Sequence, residues 1–172
     1  MKTAFSVSAS ASPSKFRMFF SALLLAGICA TNPLALAHGD VVPQAVETKG
    51  LAPVGDKWLE ENPYRGNPQA IAIGDSAYGQ NCARCHGLQA ISGGIAPDLR
   101  QLDRDCVTQK DGIKKSACLK EMDTYYVSSV RNGKVRNGAV YMPPFEGIFS
   151  QEAVWAIKSY LESVSPGAVA AK

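Results

Sequence analysis

The segment NCARCHG, residues 81–87, is the feature from which the rest of this chain is best understood. It contains the pattern C-x-x-C-H, which is typical of the covalent attachment site of a c-type haem. Cys82 and Cys85 can each bond one vinyl group of a single porphyrin, and His86 is then tethered beneath the iron, where it can coordinate the metal. The pattern is short, and C-x-x-C alone also occurs in zinc sites and redox dithiols. Its context in the chain must therefore distinguish these possibilities.

The first 37 residues have the pattern of an export signal. Lys15 and Arg17 give the segment a positively charged n-region. The following run, Met18–Ala30, is mostly apolar and too short to span a bilayer comfortably. Ala35-Leu36-Ala37 is an A-x-A cleavage site. We expect cleavage after Ala37, with an uncleaved anchor as the alternative. An exported bacterial chain meets an oxidising compartment, and covalent haem attachment of this kind also follows export, so the sequence predicts a periplasmic protein.

Removal of this signal balances the charge of the chain. The full sequence has 18 basic and 15 acidic side chains and a net charge of +3. Lys2, Lys15 and Arg17 leave with the signal and no acidic residue does, so the mature chain has equal numbers of each. The charge is therefore not evidence for nucleic-acid binding, and no interleaving of basic and aromatic residues suggests it. We expect no membrane span in the mature form.

Residues 38–69 are rich in proline and glycine, which disfavours regular helix or sheet. Trp58, Leu59 and Tyr64 indicate an irregular arm that packs onto the following domain, and a solvated linker is the alternative. Residues 70–165 are predicted to form that domain and residues 166–172 a flexible tail. The domain shows no strand-like alternation of any length, so we expect an all-α fold.

Helical periodicity is clearest at the two ends of the domain. Within residues 70–85, Gly74, Tyr78 and Cys82 recur every four residues and share one helix face. The last helix is predicted to begin after Ser150, a typical N-cap residue. It carries an apolar stripe of Val154, Ile157, Tyr160 and Leu161. Two shorter helices are expected between them, one capped by Asp111 and one over residues 123–132 with Asp123 as a possible N-cap.

The second axial ligand of the iron is not fixed by the motif. His38, Met122 and Met142 are the available side chains of the mature chain, and an open site is a further alternative. Met142 precedes two prolines, which block helix and hold the preceding residue extended. That suits a loop laid across the distal haem face, so we favour Met142. Ligation by histidine and methionine raises the reduction potential and fills both axial positions.

Two cysteines remain outside the motif. Cys106 and Cys118 have eleven residues between them, and an oxidising compartment favours a disulfide. Zinc binding together with Cys82 and Cys85 fits poorly, because it would consume the thiols that the haem requires. We therefore predict a Cys106–Cys118 disulfide.

Several segments together resemble the class I cytochromes c. These are Gly74, Tyr78, the C-x-x-C-H motif, the Gly94-x-x-Pro97-x-Leu99 loop, residues 142–145 and the Trp155–Leu161 helix. The resemblance covers residues 70–163 and implies a small all-α fold whose first and last helices cross near Gly74 and Trp155. It also implies one covalent haem c with His86 as proximal ligand, Met142 as distal ligand, and the Pro97 carbonyl accepting a hydrogen bond from His86.

The arm, the Cys106/Cys118 insertion and residues 136–145 are similar to the cytochrome c-550 group within this class. That resemblance implies a periplasmic monohaem carrier, not an enzyme. It implies that the carrier takes single electrons from a pyrroloquinoline-quinone (quinoprotein) alcohol or ethanol dehydrogenase and passes them toward a downstream cytochrome or terminal oxidase. There are two alternatives. The protein could carry electrons from another dehydrogenase, or it could be an open-site haem enzyme such as a peroxidase.

Overall fold

Five α-helices and one β-hairpin make up the regular structure of residues 42–167, the part of the chain that this computed structural model describes. The helices are α1 (Pro68–Asn81), α2 (Ala83–His86), α3 (Arg104–Val107), α4 (Gly112–Asn132) and α5 (Gln151–Val164), and the strands are β1 (Lys134–Arg136) and β2 (Ala139–Met142). Short 3-10 turns cover Leu88–Ala90 and Leu99–Gln101. No helix within this range is long and apolar enough to cross a membrane. The predicted export signal, His38 and the last five residues lie outside it.

The first and last helices begin at well-formed caps. The side chain of Asn67 accepts from the backbone N–H groups of Gln69 and Ala70, and Pro68 occupies the first turn of α1. Ser150 accepts from the N–H of Ala153 at the start of α5, as its sequence position predicted. These side chains satisfy N–H groups that have no partner inside the helix.

Helices α1 and α5 cross at very close range, and this crossing organises the core. A Cβ atom at Gly74 would collide with the carbonyl oxygen of Ala156 and with Cβ of Tyr160. Beside it, the rings of Tyr78 and Tyr160 lie 5.2 Å apart between centroids. The face of α5 that meets α1 is almost fully buried, with Trp155 at 0% exposure. The fold is therefore mainly helical, as expected.

The region between residues 111 and 132 differs from the prediction. A single helix, α4, runs through it, and Asp111 caps its start by accepting from the N–H groups of Ile113 and Lys114. Asp123 does not begin a second helix but lies inside α4 with a fully buried side chain. The sequence suggested a break there because Asp favours caps over helix interiors, whereas here its carboxylate pairs with the buried Lys158 and the partly exposed Arg65.

The β-hairpin was not predicted either. Its strands pair antiparallel through an Asn137-Gly138 turn in which both residues have positive φ, the geometry that such a pair favours. Val135 faces Val140 across the pair, and both side chains are largely exposed. Since neither face of the hairpin is buried, no alternation of polar and apolar residues marks its strands in the sequence.

The arm that precedes α1 is held by the start of α5. The Gln151 side chain accepts from the N–H of Leu59 at 2.7 Å and donates to the carbonyls of Gly55 and Lys57 at 3.0 and 3.1 Å. The N–H of Val54 donates to Glu152 at 3.1 Å. Tyr64, Trp58 and their neighbours also join the apolar core, so the arm packs onto the domain.

Candidate haem site

The motif residues lie at the junction of α1 and α2. The N–H of Cys82 continues the helical pattern by donating to Tyr78, and the N–H of His86 donates to the carbonyl of Cys82 at 3.0 Å. The three motif side chains thus occupy positions i, i+3 and i+4 of helical backbone, which share one face. Both cysteine side chains are half-buried. This arrangement explains why the spacing C-x-x-C-H suits attachment of one planar group.

His86 is oriented by the loop that follows it. Its Nδ1 atom lies 2.9 Å from the carbonyl oxygen of Pro97. A carbonyl oxygen can only accept a hydrogen bond, so Nδ1 carries the proton and Nε2 is left with a free lone pair. Donation from the non-ligating nitrogen to a carbonyl is the usual way in which metal-binding histidines are fixed.

Two buried polar side chains of α1 hold the backbone around the motif. Tyr78 donates from its hydroxyl to the carbonyl of Gly87 at 2.7 Å, and burial raises the pKa of this phenol. Asn81 accepts from the N–H of Gln44 in the arm at 2.6 Å and donates to the carbonyl of Ala77 at 3.0 Å. The residues on both sides of the attachment segment are therefore anchored to α1.

Met142 ends strand β2 and lies against the last turn of α4. Gly133, which has a φ of +67°, closes that turn, and a Cβ atom there would collide with the carbonyl of Met142 and the backbone of the two following prolines. The N–H of Phe145 then donates to the carbonyl of Val130 at 3.0 Å. The Met142 side chain is half-buried against the apolar core. Backbone contacts alone thus fix the segment that presents this thioether.

The remaining cysteines join α3 to α4. Cys106 and Cys118 form a disulfide with a Cα–Cα distance of 5.4 Å, within the usual range. Cys106 is 1% exposed. The bond ties the short helix α3, which follows the loop after His86, to the first half of the long helix α4.

The donor set fits a covalent haem better than the two other uses of C-x-x-C. Burial, with a smaller contribution from Cys85, raises the pKa of the Cys82 thiol to about 12, whereas redox dithiols have depressed thiol pKa values. Between residues 42 and 167, no group of three or more His, Cys, Asp or Glu side chains is arranged to hold a metal ion. A structural zinc site, which has four such ligands, has no counterpart in that range.

Comparison with known proteins agrees with this chemistry. The family model described as "Cytochrome C oxidase, cbb3-type, subunit III" matches residues 69–161. Cytochrome c550 of Pseudomonas aeruginosa is 53% identical over 146 residues, which cover 83% of this chain and 90% of that protein. The chain belongs to the cytochrome c family. It is of the class I, c550 type, and its cofactor is a covalently bound haem c.

Two larger proteins also share a segment with this cytochrome. The quinohemoprotein alcohol dehydrogenases ADH IIB and ADH-IIG of Pseudomonas putida are each 32% identical, over 101 and 92 residues. The matched segments cover 59% and 54% of this chain but only 12% and 10% of those proteins. No solved structure gives a significant match. As a member of this family, the cytochrome is an electron-transfer protein rather than an enzyme.

Three residues that shape the site were not singled out for that role in the sequence. Gly133 approaches the backbone of Met142 closely at the end of α4. Asn81 and Gln151 are buried amides that bond to the arm. In the sequence, each is only a polar residue within an apolar helix face. That pattern does not predict a contact with the arm unless the partner segment is known.

Proposed function

We propose that this cytochrome is a periplasmic carrier that accepts single electrons from a quinoprotein alcohol dehydrogenase and passes them toward a terminal oxidase. The observation that carries the proposal is its similarity to a small segment of two quinohemoprotein alcohol dehydrogenases. In those proteins a cytochrome-like segment belongs to the same chain as the dehydrogenase. A separate cytochrome of the same type would perform the same transfer between two proteins.

The proposed haem ligands follow from the site geometry. Cys82 and Cys85 would bond the porphyrin, and His86 would coordinate the iron through Nε2 while Pro97 holds its ring. Met142 would coordinate from the other side. A haem held in this way supplies a one-electron redox couple with a raised potential. The chain's contribution is to bind and orient this group and to exclude water from it.

Filling both axial positions argues against the alternative function, an open-site haem enzyme such as a peroxidase. Met142 is half-buried, and the backbone that follows it bonds to the end of α4, which supports a thioether held at the iron rather than an open position for a substrate. We therefore favour electron transfer, with another periplasmic dehydrogenase as the alternative donor.

The predicted export signal supports the proposed role as a periplasmic electron carrier. We propose that the chain is cleaved after Ala37. The intact mass of the mature protein should then place its N-terminus at His38. We also propose residues 38–69 as an arm, 70–165 as the haem domain and 166–172 as a tail. The Cys106–Cys118 disulfide is consistent with this location, because the periplasm is oxidising.

The deciding experiment measures the rate at which purified quinoprotein ethanol dehydrogenase reduces this cytochrome. A class I cytochrome from an unrelated pathway, with a similar reduction potential, is the matched control. We expect the dehydrogenase and ethanol to reduce this cytochrome at least tenfold faster than the control. Equal rates for the two acceptors would contradict the proposed donor while leaving its role as a carrier intact.

A further inference from the structure

A group of charges centred on a buried lysine joins α5 to α4, to Asp103 and to the arm. Lys158 on α5 is 0% exposed, and its Nζ atom lies 2.5 Å from Asp103 and 3.3 Å from both Asp123 and Glu162. Arg65 of the arm closes the group, with its Nη2 atom 2.6 Å from Asp123 and 3.1 Å from Glu162. We call these residues the buried ion cluster: Arg65, Asp103, Asp123, Lys158 and Glu162.

The buried ion cluster has more carboxylates than cations. Three carboxylates and two cations give it a net charge of −1 when all are ionised. Asp103 and Asp123 each have one buried carboxylate oxygen without a hydrogen-bond partner. The N–H of Asn62 donates to Asp123 at 2.9 Å, but a neutral donor does not cancel the charge. With all five groups ionised, one negative charge of the cluster is therefore left without a partner cation.

Tyr126 connects this cluster to the attachment segment. Its ring centroid lies 6.0 Å from the Nζ atom of Lys158, and its hydroxyl donates to the carbonyl of Val154 at 3.0 Å. Both Tyr126 and Cys82 pack in the same apolar core. Burial raises the pKa of Tyr126, and the nearby Cys82, Glu162 and Asp123 raise it further. Tyr126 thus lies beside Lys158 and shares its apolar core with the attachment cysteine.

We propose that the buried ion cluster lowers the reduction potential of the haem. Oxidation adds one positive charge to the iron, and a nearby negative charge stabilises that state. The interaction is stronger than at the surface because Lys158, Asp103 and Asp123 are buried, and the effective dielectric constant inside a protein is well below that of water. These residues would position charge and would not touch the reacting iron. Arg65 of the arm opposes part of this effect, since its positive charge lies 2.6 Å from Asp123.

Two substitutions with opposite charge changes test the proposal on the holoprotein. Asp123→Asn removes a negative charge, so we expect the potential to rise, and Lys158→Met removes a positive charge, so we expect it to fall. Each change should alter the equilibrium constant with a fixed redox partner at least threefold, which is about 28 mV for one electron. Spectroelectrochemical titration measures the potential. If Lys158→Met does not fold, Glu162→Gln serves instead and should raise the potential.

The matched control is Glu60→Gln. Glu60 pairs with Lys120 at 2.6 Å, but both side chains are largely exposed. The same charge change there should leave the potential within the error of the titration, because solvent and salt screen it. If the cluster only stabilised the fold, Asp123→Asn and Lys158→Met would both loosen the packing and admit water. Both variants would then have a lower reduction potential. Downward shifts in both variants, or no shift in either Asp123→Asn or Glu162→Gln, would overturn the proposal.

Discussion

Backbone atoms, rather than side chains, orient both proposed axial ligands. The carbonyl of Pro97 accepts from His86, and the carbonyl of Met142 lies against Gly133, where no Cβ atom would fit. The course of the chain at Pro97 and Gly133 therefore helps to position the two proposed ligands.

Replacing Met142 by Leu should remove the distal ligand while keeping nearly the same volume. We expect the ferric protein to lose its near-infrared thioether-to-iron band and its potential to fall, because methionine ligation raises it. Met122→Leu makes the same chemical change in α4 and should preserve the band. Retention of the band in Met142→Leu, or its loss in Met122→Leu, would show that the ligand is assigned wrongly.

Among the secondary-structure elements, the crossing of α1 over α5 depends most on a single position. Gly74 allows backbone to meet backbone, and the burial of Trp155 and its neighbours follows from this close approach. Because α1 leads directly into the motif cysteines, any tilt of this helix would move the attachment site.

Gly74→Ala should destabilise the protein by about 1–3 kcal/mol, the usual cost of overpacking a core. Gly79→Ala is the matched control on the same helix, since a Cβ atom there meets nothing within 4 Å. The control should be neutral or stabilising by up to about 1 kcal/mol, because alanine favours helix. Urea unfolding monitored by circular dichroism measures both. Equal effects of the two substitutions would contradict the close crossing.

How well the sequence predicted each element depended on what marks it. Helix α5 was clear because its cap and apolar stripe are local signals. The length of α4 was not clear from the sequence, because Asp is a typical helix-capping residue. Only the distant partners of Asp123, Lys158 and Arg65, explain its place inside a helix. The hairpin was missed because exposure removes the alternation that identifies strands. The motif residues, in contrast, could be named in advance because their chemistry requires fixed spacing.

At the scale of the whole molecule, the arm is part of the folded unit. It contacts the attachment segment through Asn81 and the buried ion cluster through Arg65. It is also held at the start of α5, through Gln151 and Glu152. These attachments lie far apart along the chain, so the arm links both ends of the domain.

The contact between the arm and Glu152 should weaken in acid. Burial raises the pKa of this carboxyl, but hydrogen bonds from its own N–H, that of Val54 and the Ser150 hydroxyl outweigh burial and lower it. A lowered folded pKa stabilises the protein above the unfolded value, about 4.3, and this contribution is lost as the pH falls through the folded value. Wild type should exceed Glu152→Gln in stability by about 0.5–1 kcal/mol at pH 7.

Denaturant unfolding of both proteins between pH 7 and pH 3 measures this difference, which should shrink toward zero at the acidic end. Glu121→Gln, an exposed position on α4, is the control. A difference that persists at pH 3, or one of equal size in the control, would contradict the role given to Glu152.

The closing of α5 over α1 has a consequence for how the protein is made. The cysteines for the haem are synthesised some seventy residues before the helix that buries their own helix. A chain interrupted before Gln151 would contain the complete attachment motif but lack the surface that packs on Gly74, the cation Lys158, and the contacts of Gln151 and Glu152 with the arm. Such a fragment would expose the apolar surface of α1 that α5 covers. The close packing of the domain therefore depends on its last helix, which is synthesised long after the haem cysteines.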